Sequence, residues 1–331
     1  MSVPTDMLAA IVYEPGGPDA LKLETLPVPQ PRSGWVLIKV KAFGLNRSEL
    51  FTRQGHSPKS AVQFPRVLGI EAVGIVAADP DGFFDKGETV ATAMGGLGRA
   101  FDGGYAEYTL VPAANIQRVS TKLPWDVLGA MPEMFQAAWG SLYKSLQLKS
   151  GDRLLIRGGT TSVGLAALSL AKNAGATVAS TTRREDRRQM LLDAGADQVF
   201  IDGGAIAEDV RAQQPGGYDK VLELIGTTTL LDSLHCTAPQ GIVCMTGMVG
   251  DQWELENFSP MGAIPTAVKL TTYAGGPEDF MATPLQEIVE DVEAGRQSVP
   301  RARTFALNEI VEAHHYMETN QAGGKIVVVT E

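Results

Sequence analysis

One run of small residues has the composition and the position of a phosphate-binding turn. Its sequence is Gly158-Gly159-Thr160-Thr161-Ser162-Val163-Gly164. A strand pattern at 153–156, a helix pattern at 165–174 and a second strand pattern at 177–181 surround it, which makes a βαβ unit of about 30 residues. Small residues let the backbone approach a pyrophosphate, whose charge the helix N-terminus binds. Because G-x-x-T-x-x-G departs from G-x-G-x-x-G, a glycine-rich turn of another α/β protein is the alternative.

The residues after the second strand predict which nicotinamide cofactor is bound. An NAD-binding chain places Asp or Glu about 20 residues beyond the turn, where it holds the ribose hydroxyls. Here Thr182, Arg183 and Arg184 come first, and the earliest acid is Glu185. Arginine pairs well with the 2′-phosphate of NADP(H), a contact that contributes roughly 1.5–3 kcal/mol. We therefore predict NADPH rather than NADH, with a solvated basic helix start as the competing interpretation.

Composition indicates a globular protein with a small-molecule substrate. The chain has 331 residues, of which 44% are hydrophobic and 20% charged, and its net charge of −10 argues against nucleic acid as a partner. No uncharged apolar run has the length of a membrane helix, and the N-terminus lacks a signal-peptide pattern, so a cytoplasmic protein without membrane contact is expected. Two cysteines, Cys236 and Cys244, are expected to be buried thiols.

The chain changes character along its length. Residues up to about 122 read as short strands separated by Gly and Pro, which favours a barrel or sandwich. Residues 125 to about 295 alternate strand and helix, which predicts a parallel sheet covered on both faces. A helix pattern near the end places His314 on an apolar face. A last strand, 325–329, either rejoins the first domain or extends the sheet.

Five segments carry a resemblance to a known family. They occur in family order at 44–51, 68–74, 103–108, 158–164 and 323–327. The chain resembles the medium-chain dehydrogenase/reductase superfamily and, within it, the zinc-free quinone oxidoreductases related to zeta-crystallin. The resemblance implies a GroES-like, β-rich catalytic domain at 1–124, completed by 298–331, and a Rossmann domain with a doubly wound parallel sheet at 125–297. It also implies an active site in the cleft between them and a homodimer.

Two positions in these segments predict that no metal is bound. Zinc alcohol dehydrogenases of this superfamily have Cys where this chain has Asn46 and His where it has Ile70. Neither residue is a useful zinc ligand, and a catalytic zinc needs three protein ligands. Without a Lewis acid to polarise an alcohol or carbonyl oxygen, reduction of an already activated acceptor is favoured. We expect an NADPH-dependent reductase that acts on a quinone or an α,β-unsaturated carbonyl.

Further candidate site residues follow from the resemblance and from the ends of the predicted strands. Asn46 is expected near the nicotinamide ribose or the substrate, with a locally satisfied turn asparagine as the equal alternative. Ligands bind at the carboxyl ends of parallel strands, which places five residues beside the nicotinamide: Ile225, Gly226, Thr246, Gly247 and Met248. Turn glycines are the alternative for Gly226 and Gly247. Lys325 is expected to contact the cofactor, or else to be a solvated surface lysine.

The source of the substrate proton is open. Many family members have Tyr where this chain has Phe51, and Phe51 has no proton to donate. Phe51 and Met248 are expected to line the substrate pocket. Water or His56 then supplies the proton, or no protein acid is needed; an exposed loop histidine is the favoured interpretation of His56.

Two residues of the turn have alternatives of their own. Thr161 stands where the family often has Gly, and its hydroxyl either binds a phosphate oxygen or caps the helix. Arg157 either contacts the cofactor or is a charged strand end. A trans-acting enoyl-thioester reductase and an NADPH-binding protein with little catalysis stay as alternative functions. The physiological acceptor, and the choice between hydride and single-electron transfer, stay open.

Overall fold

In the computed structural model, which describes residues 3–320 and 322–331, the chain forms two compact units. The first unit contains residues up to 134 together with 275–295 and 299–331, and the second contains 135–274 and 296–298. The strands are β1 (Asp6–Val12), β2 (Leu21–Pro27), β3 (Trp35–Gly44), β4 (Arg66–Val67), β5 (Glu71–Ala78), β6 (Thr89–Ala93), β7 (Tyr108–Pro112), β8 (Ile116–Arg118), β9 (Arg153–Arg157), β10 (Thr177–Thr182), β11 (Gln198–Ile201), β12 (Tyr218–Glu223), β13 (Thr237–Met245), β14 (Lys269–Thr272), β15 (Arg301–Ala306) and β16 (Lys325–Val329).

Helices connect and cover these strands. They are α1 (Arg47–Arg53), α2 (Trp125–Leu128), α3 (Pro132–Trp139), α4 (Ser162–Asn173), α5 (Arg188–Asp193), α6 (Ala207–Gln213), α7 (Thr227–Cys236), α8 (Pro260–Ala263), α9 (Pro277–Ala282), α10 (Leu285–Glu293) and α11 (Ile310–Glu318). Among the described residues, no helix is long and apolar enough to cross a membrane.

The first unit is β-rich, and the last strand of the chain lies inside it. One sheet has the order β15-β16-β3-β5-β6-β8, with β7 also paired to β3, and a smaller sheet has the order β2-β1-β4. Strand β16 runs antiparallel to β3, with Val327 opposite Gly44. The C-terminal strand therefore rejoins the first part of the chain and brings Lys325 to the end of β3.

The second unit is a parallel sheet with the order β11-β10-β9-β12-β13-β14, in which every pair of neighbours is parallel. Its strands are short apolar runs because both faces are covered, as Leu155, Val221 and Val243 show by their complete burial. Parallel strands place their carboxyl ends at one edge, so the residues after β9, β10, β12 and β13 lie together. The predicted fold class, a GroES-like β-rich domain plus a Rossmann domain, is confirmed.

The compact units divide the chain at other points than the domain boundaries expected from the sequence. Residues 125–134 and 275–295 lie with the first unit, whereas the alternation of strand and helix had placed them in the cofactor domain. Long-range hydrogen bonds explain the difference. Gln117 Nε2 donates to the carbonyl oxygen of Thr283 at 3.1 Å, and Gln286 exchanges hydrogen bonds with the backbone of Ser120 at 2.9 and 3.1 Å.

A fully buried arginine ties the second unit together at the carboxyl end of β9. The Arg157 guanidinium binds Asp202 through two hydrogen bonds, at 2.7 and 3.0 Å, and binds Asp232 at 2.6 Å. Its other acceptors are the Ser233 hydroxyl and the backbone oxygens of Thr229 and Gly204. Every N–H of the guanidinium is thus satisfied. Arg157 is thus a charged strand end that is buried and fully paired, and it joins β9 to the loop after β11 and to α7.

Replacing this arginine by a neutral side chain is expected to destabilise the protein strongly. In Arg157→Met, Asp202 and Asp232 lose their partner while Asp202 stays buried, which costs about 3–5 kcal/mol. Arg153→Met is the matched control, because Arg153 pairs with Asp219 at the other end of β9 with both side chains about one-third exposed; this loss should stay below about 1 kcal/mol. Chemical denaturation measures the free energy of unfolding of both variants. Equal losses would contradict the role of Arg157 in joining β9 to the loop after β11 and to α7.

Candidate functional site

The predicted phosphate turn lies between β9 and α4, and its backbone is fixed by β10. Gly158 N donates to Thr181 Oγ1, and Gly159 N donates to the Thr181 carbonyl oxygen, each at 3.0 Å. Gly158 has a φ of +88°, and a Cβ at Gly159 would lie 1.8 Å from Ser180 Oγ. Both positions therefore need glycine. Because glycine has no side chain, the backbone of the turn stays accessible at these two positions.

Thr161 caps the helix that follows. Its hydroxyl accepts from Gly164 N at 3.0 Å and donates to the Gly158 carbonyl oxygen at 2.8 Å. Because the hydroxyl is occupied on both sides, the structure favours the cap over the phosphate contact. The backbone N–H groups of Ser162 and Val163, in the first turn of α4, have no partner within the described part of the chain. They are the donors that a pyrophosphate would use.

The basic run after β10 contains one arginine that is free. Arg184 pairs with Asp186, and Arg188 pairs with Glu185 at 2.6 Å. Arg183 is exposed and has no ion pair or hydrogen bond among the residues described. Glu185 and Asp186, the first acids after β10, are therefore paired with Arg188 and Arg184, whereas Arg183 has no such partner among the described residues.

The ends of β12 and β13 meet at the same edge of the sheet. Glu223, the last residue of β12, accepts from the backbone N–H groups of Ile225 and Gly226 at 2.7 and 3.0 Å. Gly226 has a φ of +106°, and a Cβ there would lie 3.1 Å from the Met248 sulfur. The predicted segments 225–226 and 246–248 thus pack against each other, on the edge that also holds the phosphate turn.

In the first unit, Asn46 lies in a buried ionic cluster. Its Oδ1 accepts from Lys325 Nζ at 2.6 Å, and its Nδ2 donates to Glu71 Oε1 at 2.9 Å. Lys325 Nζ also lies 2.8 Å from Glu71 Oε1 and 3.4 Å from Glu133 Oε2. The Lys325 side chain is 1% exposed, so the solvated surface lysine of the competing interpretation is wrong. A direct contact of Asn46 or Lys325 with the cofactor stays a prediction.

The opposite charges in this cluster stabilise one another. Burial alone would lower the pKa of Lys325, but the Glu71 and Glu133 carboxylates outweigh it and raise that pKa above its ordinary value. Burial raises the pKa of Glu133, while Lys325 acts in the opposite direction. Lys325 therefore stays charged, as a fixed cation inside the unit.

A second chain of buried polar groups, Glu49, Tyr105 and His314, adjoins the cluster. Tyr105 donates to Glu49 Oε2 at 2.5 Å and contacts His314 Nε2 at 3.0 Å. Burial raises the pKa of Glu49 to about 7 and raises that of Tyr105 well above its usual value. Burial, together with the nearby Arg53 charge, lowers the pKa of His314 to about 3. His314 is thus a neutral core histidine, as its place on an apolar helix face indicated.

The predicted substrate residues of this unit lie close together. Phe51 is buried, His56 is exposed, and their rings are 6.2 Å apart. Sequence reasoning missed Glu49, Tyr105 and Glu133 as members of the polar cluster. The spacing Asn46-x-x-Glu49 was a usable signal for Glu49, because it is the spacing of a capping box, which the structure shows at the start of α1.

The residues present do not fit a catalytic zinc. Asn46 is committed to Lys325 and Glu71, and Ile70 is an apolar, buried side chain. Across residues 3–320 and 322–331, no three His, Cys, Asp or Glu side chains are grouped so that they could hold a metal ion. Cys236 and Cys244 are buried, and burial raises the pKa of both thiols.

The depressed pKa of His314 predicts a pH-dependent stability. A histidine with a folded pKa of about 3 and an unfolded pKa near 6.5 stabilises the fold above pH 6.5, and this contribution is lost as the pH falls. Relative to His314→Gln, the wild type should lose about 2 kcal/mol of unfolding free energy between pH 6.5 and pH 5. Urea denaturation at pH 7 and pH 5 measures this, with His56→Gln as the exposed control. A difference that stays constant with pH would contradict a neutral His314.

Comparisons with known proteins agree with this architecture. Residues 32–121 match the alcohol dehydrogenase GroES-like domain family, and residues 194–328 match the zinc-binding dehydrogenase family. The human quinone oxidoreductase is 28% identical, with 98% of each chain covered. The mouse quinone oxidoreductase is 31% identical, with 74% of each chain covered. The 2-haloacrylate reductase of Burkholderia sp is 28% identical, with 98% of this chain and 99% of that protein covered.

Solved structures give the same assignment. The crystal structure of AibC has a TM-score of 0.88 and 27% identity, and covers 98% of this chain and 96% of its own. The mycobacterial protein Rv1454c, complexed with NADPH, has a TM-score of 0.85 and 26% identity, and covers 98% of this chain and all of its own. The chain is an oxidoreductase that belongs to the quinone oxidoreductase (zeta-crystallin-like) family of the medium-chain dehydrogenase/reductase superfamily.

Proposed function

We propose that this protein is a zinc-independent reductase that uses NADPH to reduce a quinone or an α,β-unsaturated carbonyl compound. One observation carries the proposal. The glycine-rich turn, whose backbone donors suit a pyrophosphate, is followed at the end of the next strand by an exposed Arg183 that has no partner among the described residues. An acid in that place would select NADH, whereas a free guanidinium suits the additional phosphate of NADPH.

The residues of the second unit hold the cofactor in this proposal. The Ser162 and Val163 N–H groups bind the pyrophosphate, Arg183 pairs with the 2′-phosphate, and the segments 225–226 and 246–248 flank the nicotinamide. The bound nicotinamide supplies the reducing equivalents, as a hydride or as single electrons. The structure of the related Rv1454c in complex with NADPH supports this cofactor.

The acceptor class follows from the missing zinc ligands. Because Asn46 and Ile70 do not fit a metal, the described residues offer no site for a Lewis acid that would polarise an unactivated alcohol or ketone. Quinones and conjugated carbonyls accept electrons without one. The curated relatives, named quinone oxidoreductase and 2-haloacrylate reductase, fit this class. Phe51 and Met248 then line the acceptor pocket, and with Phe51 unable to donate, water or His56 supplies any proton that is needed.

We also propose that the protein is a cytoplasmic homodimer. Strand β14 lies at the edge of the parallel sheet and is paired to β13 alone. Large apolar side chains in the segment before it are exposed, among them Phe258 at 36% and Met261 at 95%. An open edge beside exposed apolar residues is typical of a surface that pairs with another chain.

The direct test is oxidation of the reduced nicotinamide in the presence of an acceptor. A 1,4-quinone and an enone are supplied in turn, with NADPH and NADH in parallel. We expect acceptor-dependent turnover with NADPH and much less with NADH. Tight NADPH binding without turnover on either acceptor would overturn the proposed reaction but not the cofactor.

The role of Arg183 has its own test. Arg183→Ala should raise the Kd for NADPH by roughly tenfold to 150-fold, because one charge-assisted phosphate contact is lost, and should leave NADH binding unchanged. Arg184→Ala is the matched control, since Arg184 is already paired with Asp186. Fluorescence titration with both cofactors measures the constants. If the two variants weaken NADPH equally, or if Arg183→Ala weakens both cofactors equally, Arg183 does not bind the phosphate.

A further inference from the structure

The Lys325 ammonium is coordinated like a bound cation. Its three N–H donors face three acceptors: Asn46 Oδ1 at 2.6 Å, Glu71 Oε1 at 2.8 Å and Glu133 Oε2 at 3.4 Å. The Lys325 side chain is 1% exposed and that of Glu71 is fully buried. An ammonium has three donors and no acceptor, so these oxygens satisfy it.

The backbone around the ammonium leaves room for it. Gly44 ends β3 with an ordinary strand conformation, in which glycine is a poor choice. A Cβ on Gly44 would lie 2.2 Å from Lys325 Cε and 2.6 Å from Glu71 Oε1. Glycine is therefore needed there for the lysine stem and its carboxylate partner.

The ammonium also sets the direction of its neighbours. Asn46 has its oxygen on Lys325 and its nitrogen on Glu71, so reversing the amide would lose both hydrogen bonds. The second oxygen of Glu71 accepts from the backbone N–H of Glu133 at 2.9 Å. The start of α3 is thereby fixed to the cluster, and Glu133 is its partly exposed member.

We propose that Lys325 is a positioning residue whose ammonium, held by Asn46, Glu71 and Glu133, is a built-in cation of the first unit. The ammonium supplies the fixed positive charge that holds Asn46 and Glu133 in one orientation for the reaction. The effect on catalysis rests on the proposed reductase function, whereas the cation site itself does not.

Emptying the site tests the proposal by chemical rescue. Lys325→Ala removes three methylene groups and the ammonium, which is the size of n-propylammonium. Added n-propylammonium should raise the melting temperature of this variant in a saturable way. Propanol at the same concentration and tetramethylammonium at the same ionic strength are the controls, and the wild type should not respond. A variant stabilised no more by n-propylammonium than by the controls would overturn the cation site.

A second variant covers the case in which Lys325→Ala does not fold. Lys325→Met combined with Glu71→Gln removes both buried charges and keeps the volume. Because the preference for NADPH over NADH is assigned to Arg183, that preference should stay within twofold of wild type while kcat falls at least tenfold. An unchanged kcat would overturn the positioning role. A wild type without quinone or enone turnover would instead refute the proposed function, and the thermal rescue would still report on the cation site.

Discussion

The buried ion pair between Lys325 and Glu71 is the constraint on which the first unit depends. Both side chains are removed from water, and an unpaired buried charge costs several kcal/mol. The C-terminal strand must therefore return beside β3, because only there does Lys325 find its acceptors. Gly44 gives the lysine room, and Asn46 completes the pairing. The segment at 323–327 is thus explained by electrostatics as well as by strand pairing.

The second unit uses buried and exposed cations for different tasks. Arg157 is buried, and Asp202, Asp232 and their neighbours satisfy each of its donors. It therefore fixes the carboxyl end of β9 to the loop after β11 and to α7. Arg183 follows β10, the next strand along the chain. It lies on the same edge of the sheet, is exposed and has no partner among the described residues. A cation whose partners lie within the chain stabilises the fold, whereas an exposed cation without such partners is available to an anionic ligand.

Local sequence patterns predicted the elements that depend only on neighbouring residues. The expected strands 153–156 and 325–329 correspond to β9 and β16, because each is a short apolar run between turn signals. The buried place of His314 also followed from helical periodicity. Pairings across the sequence were not readable. Arg157 meets Asp202 and Asp232 from 45 and 75 positions away, and Lys325 meets Asn46 from 279 positions away. For the same reason, the sequence pattern placed residues 275–295 in the Rossmann domain. Their hydrogen-bond partners lie in β8 and just after it, far away in the sequence.

In the proposed reaction, the Lys325 ammonium and not a metal ion is the cation beside Asn46. The most direct measurement counts zinc and other metals per chain in the purified protein and follows acceptor-dependent NADPH oxidation on the same sample. We expect full turnover at far less than one metal ion per chain, unchanged by a chelator. Turnover that rises in proportion to bound zinc would contradict it.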